Sequence, residues 1–175
     1  MNIADTKSAI NTYFTSEASE MYILIAAAIA LVILGVVFLT LLHGRFSQIF
    51  GVGLLVLALI YGSTGVSLLS RDSANRAQLI AALDAPITSE TEAMLTSEQT
   101  RIKAVVDNYR NLQYMFAGFA AVGLALILFW PTQIGMAIAA IALTFSVSGV
   151  LVDHYSEHRA TIYYNDLTVS LGSSS

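Results

Sequence analysis

Blocks of unbroken apolar residues alternate along this chain with blocks in which apolar positions recur every third or fourth residue. Met21 to Leu42, Ile49 to Leu69, Tyr114 to Trp130 and Ile134 to Val152 contain no Asp, Glu, Lys, Arg or His. A helix rises about 1.5 Å per residue, so about 20 residues cross a hydrocarbon core of about 30 Å. Each block is apolar on every face, which excludes the alternating strands of a membrane barrel and leaves the helix as the spanning structure. The third block is short by that standard and is expected to borrow a turn from Asn111 to Gln113.

The blocks pair through two short connections, His43 to Gln48 and Pro131 to Gln133, which must share one side of a membrane. The expected fold is all-α: a polytopic membrane protein whose four transmembrane helices form two parallel hairpin repeats with a juxtamembrane helical bundle. In order, it has an N-terminal amphipathic arm (1–20), a transmembrane hairpin (21–69), an extramembrane helical hairpin (70–113), a second transmembrane hairpin (114–152) and a C-terminal amphipathic arm with a disordered Gly-Ser end (153–175). At an offset of 83, Ser63, Leu68, Ser73, Arg76 and Ala77 meet Ser146, Leu151, Ser156, Arg159 and Ala160, a faint internal repeat consistent with that plan. The first block is not read as a cleaved leader, because Asp5, Glu17 and Glu20 precede it without a basic stretch.

The intervening segments carry helical stripes. Ile102, Val105, Val106, Tyr109 and Leu112 lie on one face and form the expected interaction face, opposite Leu79, Ile80 and Leu83 across a break at Pro86. Ile10, Tyr13, Ile162 and Tyr163 are expected to close the remaining sides, with Glu98 on the solvated face; the arms also carry Ile3, Phe14 and Leu167. Thr96 with Gln99, or Ser89 with Glu92, offers a capping-box start. No Pro or Gly lies within 66–85, and no Pro within 87–117, so the segments flanking Pro86 are expected to continue their spans as single helices. Helices lying flat on lipid usually carry Lys/Arg-rich polar faces, whereas these are rich in Glu, Asp, Ser and Thr, which favours a packed bundle.

Composition sharpens the picture. Charged residues make up 11% of the chain and its mean hydropathy is +0.70, against about 25% charged in soluble domains. The absence of cysteine removes disulfides, thiolate metal sites and cysteine nucleophiles. A net charge of −4 argues against nucleic acid as a partner. Of the Lys and Arg residues, Arg45 alone lies in a short turn, while Lys7, Arg71, Arg76, Arg101, Lys103, Arg110 and Arg159 lie on the side of the tails. By this bias both termini are expected on the cytoplasmic side, and a bacterial-type inner membrane is expected from compactness alone.

Two features carry candidate chemistry. His154, Glu157 and His158 match the H-x-x-E-H spacing that places two imidazoles on one helical face for zinc, but no third histidine follows, Asp153, Glu90 or Glu98 could complete a site only if the bundle brings one there, and a solvated face is the better reading. Tyr61, Ser63, Thr64 and Ser67 in the second span, with Thr144, Ser146 and Ser148 in the fourth, read either as a hydroxyl-lined pore or as a packing face. Packing outweighs the pore, because small residues routinely mark helix contacts, and Ala117, Ala121 and Ala125 form a similar stripe without hydroxyls. The spans lack any carboxylate, histidine or base, and no phosphate loop or nucleophile elbow is present, so carrier, haem, hydrolase and kinase chemistry have no residues to rest on. The expected role is a non-enzymatic, cofactor-free subunit or adaptor of a membrane complex, partnered by the bilayer and by copies of itself or other membrane subunits. The alternative is an oligomeric channel or transport component for a small solute or ion.

Overall fold

The computed structural model describes residues 3–172. These residues form four helices, α1 (Ile3–Thr40), α2 (Arg45–Asp84), α3 (Ser89–Phe129) and α4 (Gln133–Gly172), and every one is long and apolar enough to cross a membrane. The helices α2 and α3 run unbroken from their apolar blocks through their polar halves, as the lack of proline predicts. The last three residues of the Gly-Ser end, expected to be disordered, lie outside the described residues; Leu171 and Gly172 are helical.

Each connection has a local cause. Gly44 has φ +134°, a conformation that L side chains rarely adopt, and its carbonyl accepts from Gln48 N at 3.1 Å, so it starts α2. The first connection is therefore shorter than His43 to Gln48, because Arg45 to Gln48 already belong to the helix. Pro86 follows the end of α2. Thr88 then caps α3: its hydroxyl accepts from Thr91 N, and the Thr91 hydroxyl accepts from Thr88 N, both at 3.4 Å. This is a capping box built on Thr88 and Thr91 instead of Ser89 and Glu92, while Thr96 lies mid-helix and donates to the Glu92 carbonyl at 2.8 Å. Thr132 caps α4 through Gly135 N at 3.1 Å, directly after Pro131.

The chain packs as two compact units. Of the described residues, one comprises 3–20, 67–110 and 154–172; the other comprises Met21–Val66 and Asn111–Asp153. The first, here the polar unit, draws its core from all four helices. Ile10, Tyr13 and Phe14 enter from α1, Leu79 and Leu83 from α2, Leu95, Ile102 and Tyr109 from α3, and Ala160, Tyr163 and Leu167 from α4. Val105 and Val106 are half-buried. Ile162 departs from the expectation: it is 48% exposed, because Tyr163, one residue on, takes the inward position.

The second, apolar unit holds small residues at its contacts. Gly35 and Gly51 bring α1 and α2 to backbone contact: a Cβ on Gly51 would lie 3.0 Å from the Gly35 carbonyl oxygen and 2.9 Å from Leu39 Cγ. Gly123 meets α4 in the same way, against Leu143 and the Ala139 carbonyl. Nearly all exposed large apolar side chains of the described residues belong to this unit; the polar unit exposes Ile3, Ile87, Tyr155, Ile162 and Val169. An outward surface this apolar suits lipid, not water.

Candidate functional site

The interior of the polar unit contains charge. Glu17 and Glu20 of α1, Asp72 of α2 and Glu98 of α3 are each less than a tenth exposed. Their positions follow from helical geometry. Glu17 continues the 3-and-4 spacing of Ile10, Tyr13 and Phe14, Glu98 falls between Leu95 and Ile102, and Asp72 lies two turns before Leu79. Each carboxylate thus occupies a core-facing position on its helix. Two guanidiniums meet them, from Arg101 of α3 and Arg159 of α4.

The pairing is unequal. Arg101 grips Glu98 in a fork, Nε to Oε2 at 2.7 Å and Nη2 to Oε1 at 2.8 Å, and Tyr163 OH donates to the same Oε1 at 3.3 Å. Hydrogen bonding from Glu98 raises the Arg101 pKa, so the guanidinium is firmly charged. Arg159 serves two acids with one nitrogen: Nη2 approaches Glu17 Oε1 at 3.3 Å and also contacts Glu20 Oε2. Ser156 adds a hydrogen bond to Glu20 Oε1 at 2.7 Å. Asp72 has Arg71 Nε of its own helix at 3.4 Å, from a side chain that is mostly exposed.

Aromatic rings enclose this layer. Tyr13 and Tyr163 stack at 4.3 Å with 7° between their planes, and Phe14 meets both edge-on. Burial pushes both phenols well above the ordinary tyrosine range, with Glu17 adding to the effect at Tyr13 and Glu98 at Tyr163. Burial also raises the Glu17 carboxyl, against the pull of Arg159. The arrangement holds paired charge inside the unit. The expectation of a solvated Glu98 is corrected, since the carboxylate is 6% exposed and fully engaged.

The residues singled out from sequence are distributed as follows. Ile102 and Tyr109 of the interaction face are inside the core of the polar unit, Val105 and Val106 lie at its margin, and Leu112 is half-buried in the apolar unit. In the apolar unit Tyr61 OH shares a hydrogen bond with Ser148 Oγ, which also donates to the Thr144 carbonyl at 2.6 Å. Ser146 Oγ donates to the Phe116 carbonyl at 2.7 Å, joining α4 to α3. Ser63 and Thr64 face outward, as does Ser67 in the polar unit, and Ser63 bonds the Ile60 carbonyl at 3.1 Å. Within the apolar unit the hydroxyls are thus divided, with Tyr61, Ser146 and Ser148 in inner contacts and Ser63 and Thr64 on the outer surface. His154 and His158 are exposed, Glu157 is half-buried, and no cluster of three metal-ligating side chains occurs among the described residues.

Sequence reasoning missed the buried ionic layer, although its signal was present in acids that share the register of apolar stripes. No protein-family model, no curated protein and no solved structure matches this chain.

Proposed function

We propose that this chain is a non-enzymatic subunit or adaptor of a membrane complex that works by lateral helix–helix association, with copies of itself or with another membrane protein. The observation that carries the reading is the outward placement of small side chains on the spans. Ala117, Gly118, Ala121 and Ala125 of α3 are all exposed, and a Cβ added at Gly118 would meet nothing. In α3 11% of the most apolar stretch is buried, against 33% in α2. Small residues facing lipid leave a helix backbone open to close approach, and it is through such faces that membrane helices associate. Ser63 and Thr64 give α2 a similar outward face.

The topology we infer with it is two parallel hairpin repeats in a bacterial-type inner membrane. The polar unit then forms a juxtamembrane bundle, and both termini and the 70–113 hairpin are cytoplasmic, as the Lys and Arg bias favours.

The chain has no cysteine, so single cysteines can be placed without background. Ala121→Cys is expected to cross-link to a partner in native membranes, whereas Leu59→Cys, on a bulky apolar face, is not. Absence of adducts at Ala117, Ala121 and Ser63, together with a monomeric mass in native lipid, would overturn the reading. A cross-linked ring that conducts ions through its Ser63, Thr64 and Ser67 faces would replace it with the channel.

A further inference from the structure

The interior of the polar unit is short of positive charge. It holds four carboxylates, Glu17, Glu20, Asp72 and Glu98, and two guanidiniums, Arg101 and Arg159. The Arg101 fork is taken up by Glu98. Among the described residues Arg159 alone pairs with Glu17 and Glu20, and it reaches both through the same nitrogen. Two carboxylates held around one cation in a low-dielectric interior resist joint ionisation, since the second negative charge has no counter-charge.

We propose that the Glu17–Glu20–Arg159 centre is a proton-binding site in which Glu17 takes up the proton that stands in for a second guanidinium, making the packing of the polar unit responsive to pH. The step is simple: a proton from water bonds to a Glu17 carboxylate oxygen, and no other bond changes. Arg159 is a quarter exposed along its side chain, which gives solvent a route to the centre.

The groups around Glu17 act in both directions. On its own helix Tyr13 lies one turn away and stays a neutral phenol, while Glu20 competes for Arg159. Asp72 of α2 adds a like charge that raises the Glu17 pKa. Arg159 of α4, which hydrogen-bonds Glu17, lowers it, and Arg101 of α3 lowers it more weakly. Ser156 and Tyr163 of α4 spend their hydroxyl protons on Glu20 and Glu98, so neither serves Glu17. Burial is the largest influence, and it favours the protonated form.

This site is independent of lateral association, and its test does not depend on any partner. An infrared pH titration of the full chain in lipid nanodiscs follows the C=O stretch of a protonated carboxylic acid. Wild type is expected to keep one such band after surface carboxylates have ionised, and Glu17→Gln is expected to remove it. Asp72→Asn should move its midpoint to lower pH, and Glu90→Gln, at an exposed position, should leave it in place. A folded wild type without the band overturns the proposal without recourse to any variant. So does a band that survives Glu17→Gln with helicity intact. If Glu17→Gln fails to fold, the Asp72→Asn titration decides, and an unmoved midpoint overturns the assignment.

Discussion

Replacing Glu98 with alanine should destabilise the polar unit far more than a typical surface change. The substitution strips the Arg101 guanidinium of both its hydrogen bonds and leaves Tyr163 OH without its acceptor. Removing one partner of a buried ion pair costs about 3–5 kcal/mol. The Arg101 side chain is 28% exposed and can turn its head partly to water, which places the expected loss at the lower end, about 3 kcal/mol. Amide hydrogen exchange at Ile102 and Tyr109, both in the core of the unit, reads this locally in lipid nanodiscs. A loss of that size lowers their protection by roughly a hundredfold or more, at about 1.36 kcal/mol per factor of ten. The paired change Glu98→Leu with Arg101→Met removes both charges and should cost clearly less than the single change, because apolar residues of similar volume often replace a buried pair without loss, and only Tyr163 OH is left without its acceptor. Glu92→Ala, at an exposed position on the same helix, is the control. If Glu98→Ala lowers protection by less than threefold, or if the double variant is as damaged as the single, the fork between Glu98 and Arg101 is not what organises the interior.

Two further substitutions test other joints. Gly51→Ala pushes a methyl group against the Gly35 carbonyl and Leu39 and is expected to cost about 1–3 kcal/mol by overpacking; in a denaturant titration of the detergent-solubilised chain, Gly118→Ala, with open space around it, should be silent by comparison. Thr88→Ala removes the cap of α3 and should cost about 1 kcal/mol, whereas Ser89→Ala should cost much less, and the reverse order would return the cap to Ser89 and Glu92.

The spans were legible because nothing in them is charged: four blocks free of Asp, Glu, Lys, Arg and His leave helices as the only spanning form, and each of the four helices holds all or nearly all of one, α1 ending two residues and α3 one residue before its block does. The continuity of α2 and α3 was legible for an equally local reason, since no proline interrupts either. The cap of α3 was misplaced by one residue because Thr88-x-x-Thr91 and Ser89-x-x-Glu92 overlap, and only geometry tells which hydroxyl meets a free amide. The ionic layer was illegible for a deeper reason. Acids on an amphipathic helix read by default as solvated, yet Glu17 and Glu98 share the register of Ile10 and Ile102. Whether a carboxylate at the edge of a stripe faces in or out depends on the guanidinium that meets it inside, Arg101 of the same helix for Glu98 and Arg159 of α4 for Glu17, and the spacing of apolar positions does not encode that pairing.

The stacked phenols of Tyr13 and Tyr163 make the polar unit its own optical gauge. Base that ionises a phenol in water leaves these two protonated while the helices stay packed, because burial holds their pKa far above the usual range. Their folded pKa values are raised, so the stability they contribute is complete below the unfolded phenol pKa of about 10 and drains away above it, at roughly 1.4 kcal/mol per pH unit for each ring. The stacked Tyr13 and Tyr163 therefore remain dark to an alkaline absorbance titration until the unit opens, and then ionise. The step in tyrosinate absorbance would mark the opening of one unit without any added dye, label or mutation.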